Sequence, residues 1–115
     1  MLVNSTTKVI NVSLPLDKEQ RILDFLLGMV YAQCAIAPDK WFSVRTLLGY
    51  DWSEIPLKVL FDKYRRKINS DREAMKLAGK DAGHLLKKVL ADKRFSRKFE
   101  MKNEKLINQY KWKRE

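Results

Sequence analysis

The chain has a single histidine, His84, in the run Ala-Gly-His-Leu-Leu, and a single cysteine, Cys34, fifty positions earlier. A Cys–His pair works as nucleophile and base when the thiolate is exposed and a third group orients the imidazole. Cys34 sits inside an apolar helical segment, where cysteine behaves as a small hydrophobe. The carboxylates include no Asp-x-Asp, and neither His-x-x-x-His nor Glu-x-x-His spacing occurs, so no metal set is expected. Gly79-Lys80-Asp81-Ala82-Gly83 lacks the spacing of a phosphate loop and has no strand before it. These residues predict a protein that is not an enzyme and that takes no cofactor or metal.

The cations point elsewhere. The 115 residues carry a formal net charge of +10 and an isoelectric point near 9.8. Residues 1–40 are neutral, with four basic and four acidic groups, so the whole excess lies in residues 41–115. Residues 93–115 alone hold nine basic and three acidic groups. A neutral apolar front and a cationic back form the footprint expected for phosphates, and predict a nucleic-acid partner, DNA rather than RNA. The contacts expected are Arg45, Lys58, Lys63, Arg65, Arg66 and Lys67, extended by Lys93, Arg94, Arg97, Lys98, Lys111, Lys113 and Arg114. Late in the chain these cations interleave with aromatics: Lys93-Arg94-Phe95, Arg97-Lys98-Phe99 and Tyr110-Lys111-Trp112. Aromatics stack on unpaired bases while Lys and Arg hold phosphates. Of these rings, Trp112 is assigned to bases, and Phe95 and Phe99 to the core.

The elements that position these residues are mainly helical. Ile10, Val12 and Leu14 alternate with Asn11 and Ser13, which predicts a short strand ended by Pro15. Residues 17–36 read as a helix capped by Asp17, apolar on so much of its circumference that burial on several sides is expected. Residues 43–48 form a short helix between Ser43 and Gly49, and residues 54–67 a second one capped by Ser53. In the latter, Leu57, Leu60, Phe61 and Tyr64 follow i, i+3, i+4, i+7. Ser70-Asp71-Arg72-Glu73 is a capping box that opens a helix to about Ala91. Gly79 and Gly83 lie one turn apart within it, a costly arrangement best explained by close approach of another backbone. A basic break at 92–97 precedes a last helix from about Phe99 to Tyr110, with Leu106, Ile107 and Tyr110 as anchors.

Two stretches resemble known DNA-binding units. The segment from Thr7 to Leu27, a strand, Leu14-Pro15 and a helix, resembles the start of the ribbon-helix-helix repressors. That likeness implies a two-chain ribbon in the major groove, with Thr7, Val9, Asn11 and Ser13 outward. Residues 41–66, helix, Gly49 and a second basic helix, resemble a helix-turn-helix. The other reading of the same residues is two ordinary packed helices.

The fold expected is a mainly α, compact bundle of four to five helices with one short N-terminal strand. It forms a single domain over 1–115, with 1–6 flexible and 111–115 a basic tail. The unpaired strand and the very apolar first helix predict a homodimer. No apolar run approaches a membrane span and the N-terminal residues lack the basic-then-apolar pattern of a signal peptide, so a cytoplasmic protein is expected. The function expected is a DNA-binding regulatory or accessory factor of the kind carried by phages and mobile elements. The alternative is an adaptor or inhibitor that docks on a larger host protein machine through an apolar helical face.

Overall fold

The computed structural model describes residues 1–3 and 9–114 and contains four helices followed by a two-stranded antiparallel hairpin. The first helix, α1, spans Leu16–Ile36. Its N-cap is Pro15 and not the expected Asp17, which lies with Glu19 in the first turn, where the helix dipole favours negative charge. Ile22, Leu26, Val30 and Cys34 recur every fourth residue and are buried. Leu23, Phe25, Leu27 and Met29 are half-buried, and Leu16, Tyr31 and Ile36 are exposed. The helix therefore buries one face, with flanks, rather than several sides.

The second helix, α2, is a single turn and a half, Val44–Leu48. Ser43 and Thr46 close a reciprocal capping box, and Gly49 ends the helix with φ of 65°. The third, α3, spans Lys58–Arg65 and is shorter than its periodicity suggests. Ser53 does not cap it; its N–H and hydroxyl both donate to the Asp51 carboxylate, and residues 53–57 form turns around Pro56. Nine residues thus separate α2 from α3, where a helix-turn-helix uses three or four, roughly. Residues 41–66 accordingly do not form that motif.

The long helix α4 spans Asp71–Ala91 and starts at Ser70, whose side chain accepts the Glu73 N–H. Its core row is small at one end and large at the other: Ala74, Ala78 and Ala82, then Leu86 and Leu90, with Leu85 and Val89 alongside. The alanines let α3 approach closely, so that Leu57 and Leu60 lose all exposure. Gly79 and Gly83 lie beside that row and are half-buried. A Cβ built at either meets nothing within 4 Å, so among the described residues no backbone from outside the helix approaches them closely. They weaken the helix by about 1 kcal/mol each without serving its packing.

The largest correction concerns the strands. Residues 9–14 form no strand, Thr7 and Lys8 lie outside the described residues, and the chain is not a bundle with one N-terminal strand. The β structure is C-terminal: β1, Phe99–Glu104, pairs with β2, Ile107–Trp112, where a last helix was expected. The reason is a period of two. Phe99 faces Trp112 and Met101 faces Tyr110 on one side of the hairpin, while Glu100–Lys111 and Lys102–Gln109 share the other. The connecting residues Lys105 and Leu106 have φ of 52° and 66°, the pattern of a two-residue hairpin turn that Asn-Gly normally signals. Lys-Leu gives no such signal.

Two short segments widen this hairpin. Residues 1–3 run parallel to β1, with Phe99 N–H donating to the Met1 carbonyl at 2.7 Å and Val3 N–H to the Phe99 carbonyl at 3.0 Å. Phe42 pairs antiparallel with Tyr110 on the opposite edge, through bonds of 2.7 and 2.8 Å. Lys111 and Trp112 therefore belong to a paired strand and not to a tail. Phe42, Phe99 and Tyr110, all at most 2% exposed, press their rings together and onto the helices, which joins sheet and helices in one core.

Candidate nucleic-acid interface

The thirteen cations expected to meet phosphates fall into groups that the fold treats differently. Those of α3 are largely engaged. Lys58 pairs with Asp62 at 2.9 Å. Lys63 reaches Asp81 on α4 at 2.8 Å, beside the Tyr64 hydroxyl, which donates to the same carboxylate oxygen at 2.7 Å. Burial and that bond to Asp81 push the Tyr64 phenol up. Arg65 pairs with Asp71 at 2.6 Å and donates to the Ile68 carbonyl. Arg66 and Lys67 are exposed. Arg45 lies on α2, its guanidinium 5.3 Å from the centre of the Tyr50 ring.

The second group lies beyond α4 in the chain and comes together across the hairpin. It surrounds the open end of the hairpin, where the Lys113 N–H donates to the Lys98 carbonyl at 2.8 Å. Lys93, Arg94, Arg97, Lys98, Lys113 and Arg114 all belong to this end. Two carboxylates oppose them. Arg94 grips Asp92 with its guanidinium and its backbone N–H, which holds that carboxyl down to about 2. Arg114 meets Asp39 at 2.6 Å.

Aromatic rings thread through this basic end. Phe95 stacks on Tyr31 with ring centres 5.3 Å apart. The Arg97 guanidinium lies 4.6 Å from the Tyr31 centre and 4.6 Å from that of Trp112, and Arg114 follows at 5.4 Å from Trp112. The result is a column of two rings, a guanidinium, a third ring and a second guanidinium: Phe95, Tyr31, Arg97, Trp112, Arg114. A guanidinium held by its faces keeps its N–H edge turned sideways, the edge that binds phosphate in a bidentate manner. Phe95 also meets Phe99 edge-on, which anchors the column to the core. Lys111 lies apart, on the outer face of the hairpin, where it and Lys102 flank the Trp41 ring at 5.2 and 4.4 Å.

Sequence reasoning found Arg97 and Trp112 but missed Tyr31 and Trp41. Tyr31 lies on α1, more than sixty residues from Arg97, and no local pattern connects them. The only available signal was that Tyr31 falls off the buried i, i+4 row of its helix.

Cys34 is 3% exposed, and burial pushes its thiol up against the opposing influence of the Arg97 side chain. That is the reverse of an activated nucleophile. Among the described residues no group of three His, Cys, Asp or Glu is placed to hold a metal, and no helix is long and apolar enough to cross a membrane. No protein-family model, no curated protein and no solved structure matches this chain.

Proposed function

We propose that this protein is a non-catalytic nucleic-acid-binding accessory factor, and that the open end of its hairpin is the contact surface. DNA is the expected partner. The observation that carries the reading is the column in which Arg97 lies between Tyr31 and Trp112, inside a ring of further cations. Lysines alone would bind any polyanion. Arg114, at the outer end of the column, covers the Trp112 ring, and an unpaired base that takes its place stacks there at about 1–3 kcal/mol. The reading therefore favours single-stranded over duplex DNA, with Lys93, Arg94, Lys113 and Arg97 on phosphates and Trp112 and Tyr31 beside bases.

The test is fluorescence anisotropy with a labelled single strand of about 20 nucleotides and its duplex, titrated from about 50 to 200 mM salt. The single strand should bind more tightly, with log affinity falling linearly against log salt. Replacing Lys93, Arg94 and Lys113 together by Gln should lower that slope by about 2, at roughly 0.7 per phosphate contact on a single strand. The substitutions are at exposed positions, so stability should change by no more than about 0.5 kcal/mol each. An unchanged slope and affinity in the triple variant would remove the assignment.

A further inference from the structure

A cleft of about 840 Å³ lies at the other end of the hairpin, between α2, the outward side of α4 and the hairpin tip. Two helical rows of α4 line it. Arg72, Lys76 and Lys80, four residues apart, form a cationic row that outnumbers the one α4 carboxylate lining the cleft, Glu73, and Met75, Gly79 and Gly83 form a bare row beside it. Neither row helps α4 itself. Like charges at this spacing repel, interior glycines weaken a helix, and a side chain at either glycine would have open space. None of the three cations has an ion-pair partner among the described residues.

Tyr110 supplies an independent observation. It lines the same cleft, is 1% exposed, and its hydroxyl has no hydrogen-bond partner. The Asn108 side chain, which acts on this phenol against the effect of burial, also lines the cleft. Buried hydroxyls are paired in the great majority of proteins, so an unpaired one beside an open cleft marks a position that a ligand's polar group completes. At the mouth, Leu106 is 95% exposed in a left-handed conformation, and Tyr50 is 68% exposed.

We infer that this cleft docks an acidic, amphipathic helix of a partner protein. Its carboxylates meet Arg72, Lys76 and Lys80. Its apolar row lies on the Gly79–Gly83 backbone between Leu106 and Tyr50, and one polar group reaches the Tyr110 hydroxyl. The bare glycines let the two helix axes approach to the near end of the roughly 8–10 Å range. The cationic row is about 12 Å long, two helical turns, which a short helix spans. The exposed leucine favours a protein over a nucleic acid, since it offers nothing to a phosphate or a base edge. The cleft and the basic open end lie at opposite ends of the hairpin, so this inference stands apart from the nucleic-acid reading.

The probe is a displayed library of helical peptides about four turns long, with Leu at i, i+3, i+4 and i+7 and Glu or Lys randomised elsewhere. Selection on the full chain should enrich Glu over Lys. The selected peptides should lose at least about tenfold in affinity on the Gly79→Leu/Gly83→Leu variant, whose melting temperature should not fall, and several-fold on Tyr110→Phe. The charge-reversed variant Lys76→Glu/Lys80→Glu, altered only at exposed positions, should select Lys-rich peptides instead. The inference is overturned if no peptide is enriched, if Lys is enriched on the unaltered protein, or if the selected peptides bind the leucine variant equally well. It is also overturned if a single-stranded oligonucleotide displaces the peptide and loses its own binding on the leucine variant, because the cleft then belongs to nucleic acid.

Discussion

Replacing Tyr110 by Phe should stabilise this protein. The ring is enclosed, with Phe42 at 6.0 Å, and Phe retains that packing. What the substitution removes is a hydroxyl that is buried and unpaired, a state that costs about 1–3 kcal/mol. A gain of about 1–2 kcal/mol is expected. With about 2.1 cal/mol/K of unfolding entropy per residue, 115 residues correspond to about 240 cal/mol/K, so the melting temperature should rise by about 4–8 °C. A urea series should show a higher midpoint at unchanged slope. The pH dependence supplies a second arm. Burial pushes the Tyr110 phenol up to about 12, the Asn108 side chain opposing weakly. A group whose folded value lies above its unfolded value, here about 10, contributes stability that is complete below the unfolded value and vanishes above the folded one. Stability should therefore fall as pH rises from about 10 to 12, by up to about 2.7 kcal/mol for two pKa units. Lysines titrate in the same window in both proteins, so the difference between wild type and Tyr110→Phe isolates the phenol. A loss of more than about 1 kcal/mol in Tyr110→Phe would mean that the hydroxyl is bonded after all, and a flat difference curve between pH 10 and 12 would mean that burial does not control it.

Four further substitutions test the same physical account in urea unfolding. Gly79→Ala and Gly83→Ala should each stabilise by about 1 kcal/mol, because the added methyl meets nothing and the helix gains propensity. Leu106→Gly should stabilise by about 1 kcal/mol: it relieves a left-handed backbone, and the side chain it removes is 95% exposed. Asp81→Ala should destabilise by about 1–3 kcal/mol, because Lys63 and the Tyr64 hydroxyl both lose their acceptor in a partly buried site. A change of less than about 0.5 kcal/mol there would show that the Lys63–Asp81–Tyr64 group is merely a solvated surface pair.

The four helices were legible in the residues because helical signals are local. Ser43 and Gly49 bracket α2, Ser70 starts α4, and the i, i+4 row of α4 names its own buried face, whereas the apolar flanks of α1 hid which of its sides is buried. Helix α3 was legible in type but not in length, since the Asp51–Ser53 turn competes for the residues that would have extended it. The cationic character of residues 93–114 was equally plain from composition. The hairpin was not. Leu106, Ile107 and Tyr110 imitate a helical stripe, Lys105-Leu106 is an atypical turn pair, and the strand alternation becomes decisive only when Phe42, Phe99 and Tyr110 meet. Those contacts join positions 57 and 68 apart along the chain, beyond the reach of any periodicity. The candidate sites follow the same division. Which residues are cations and rings was written in the sequence. That Arg97 would lie between Tyr31 and Trp112, that Lys63 would turn to Asp81, and that Gly79 and Gly83 would face open space were decided by tertiary packing. The physical reason is that burial and ion pairing depend on which distant segments share a neighbourhood, and only the folded chain determines that.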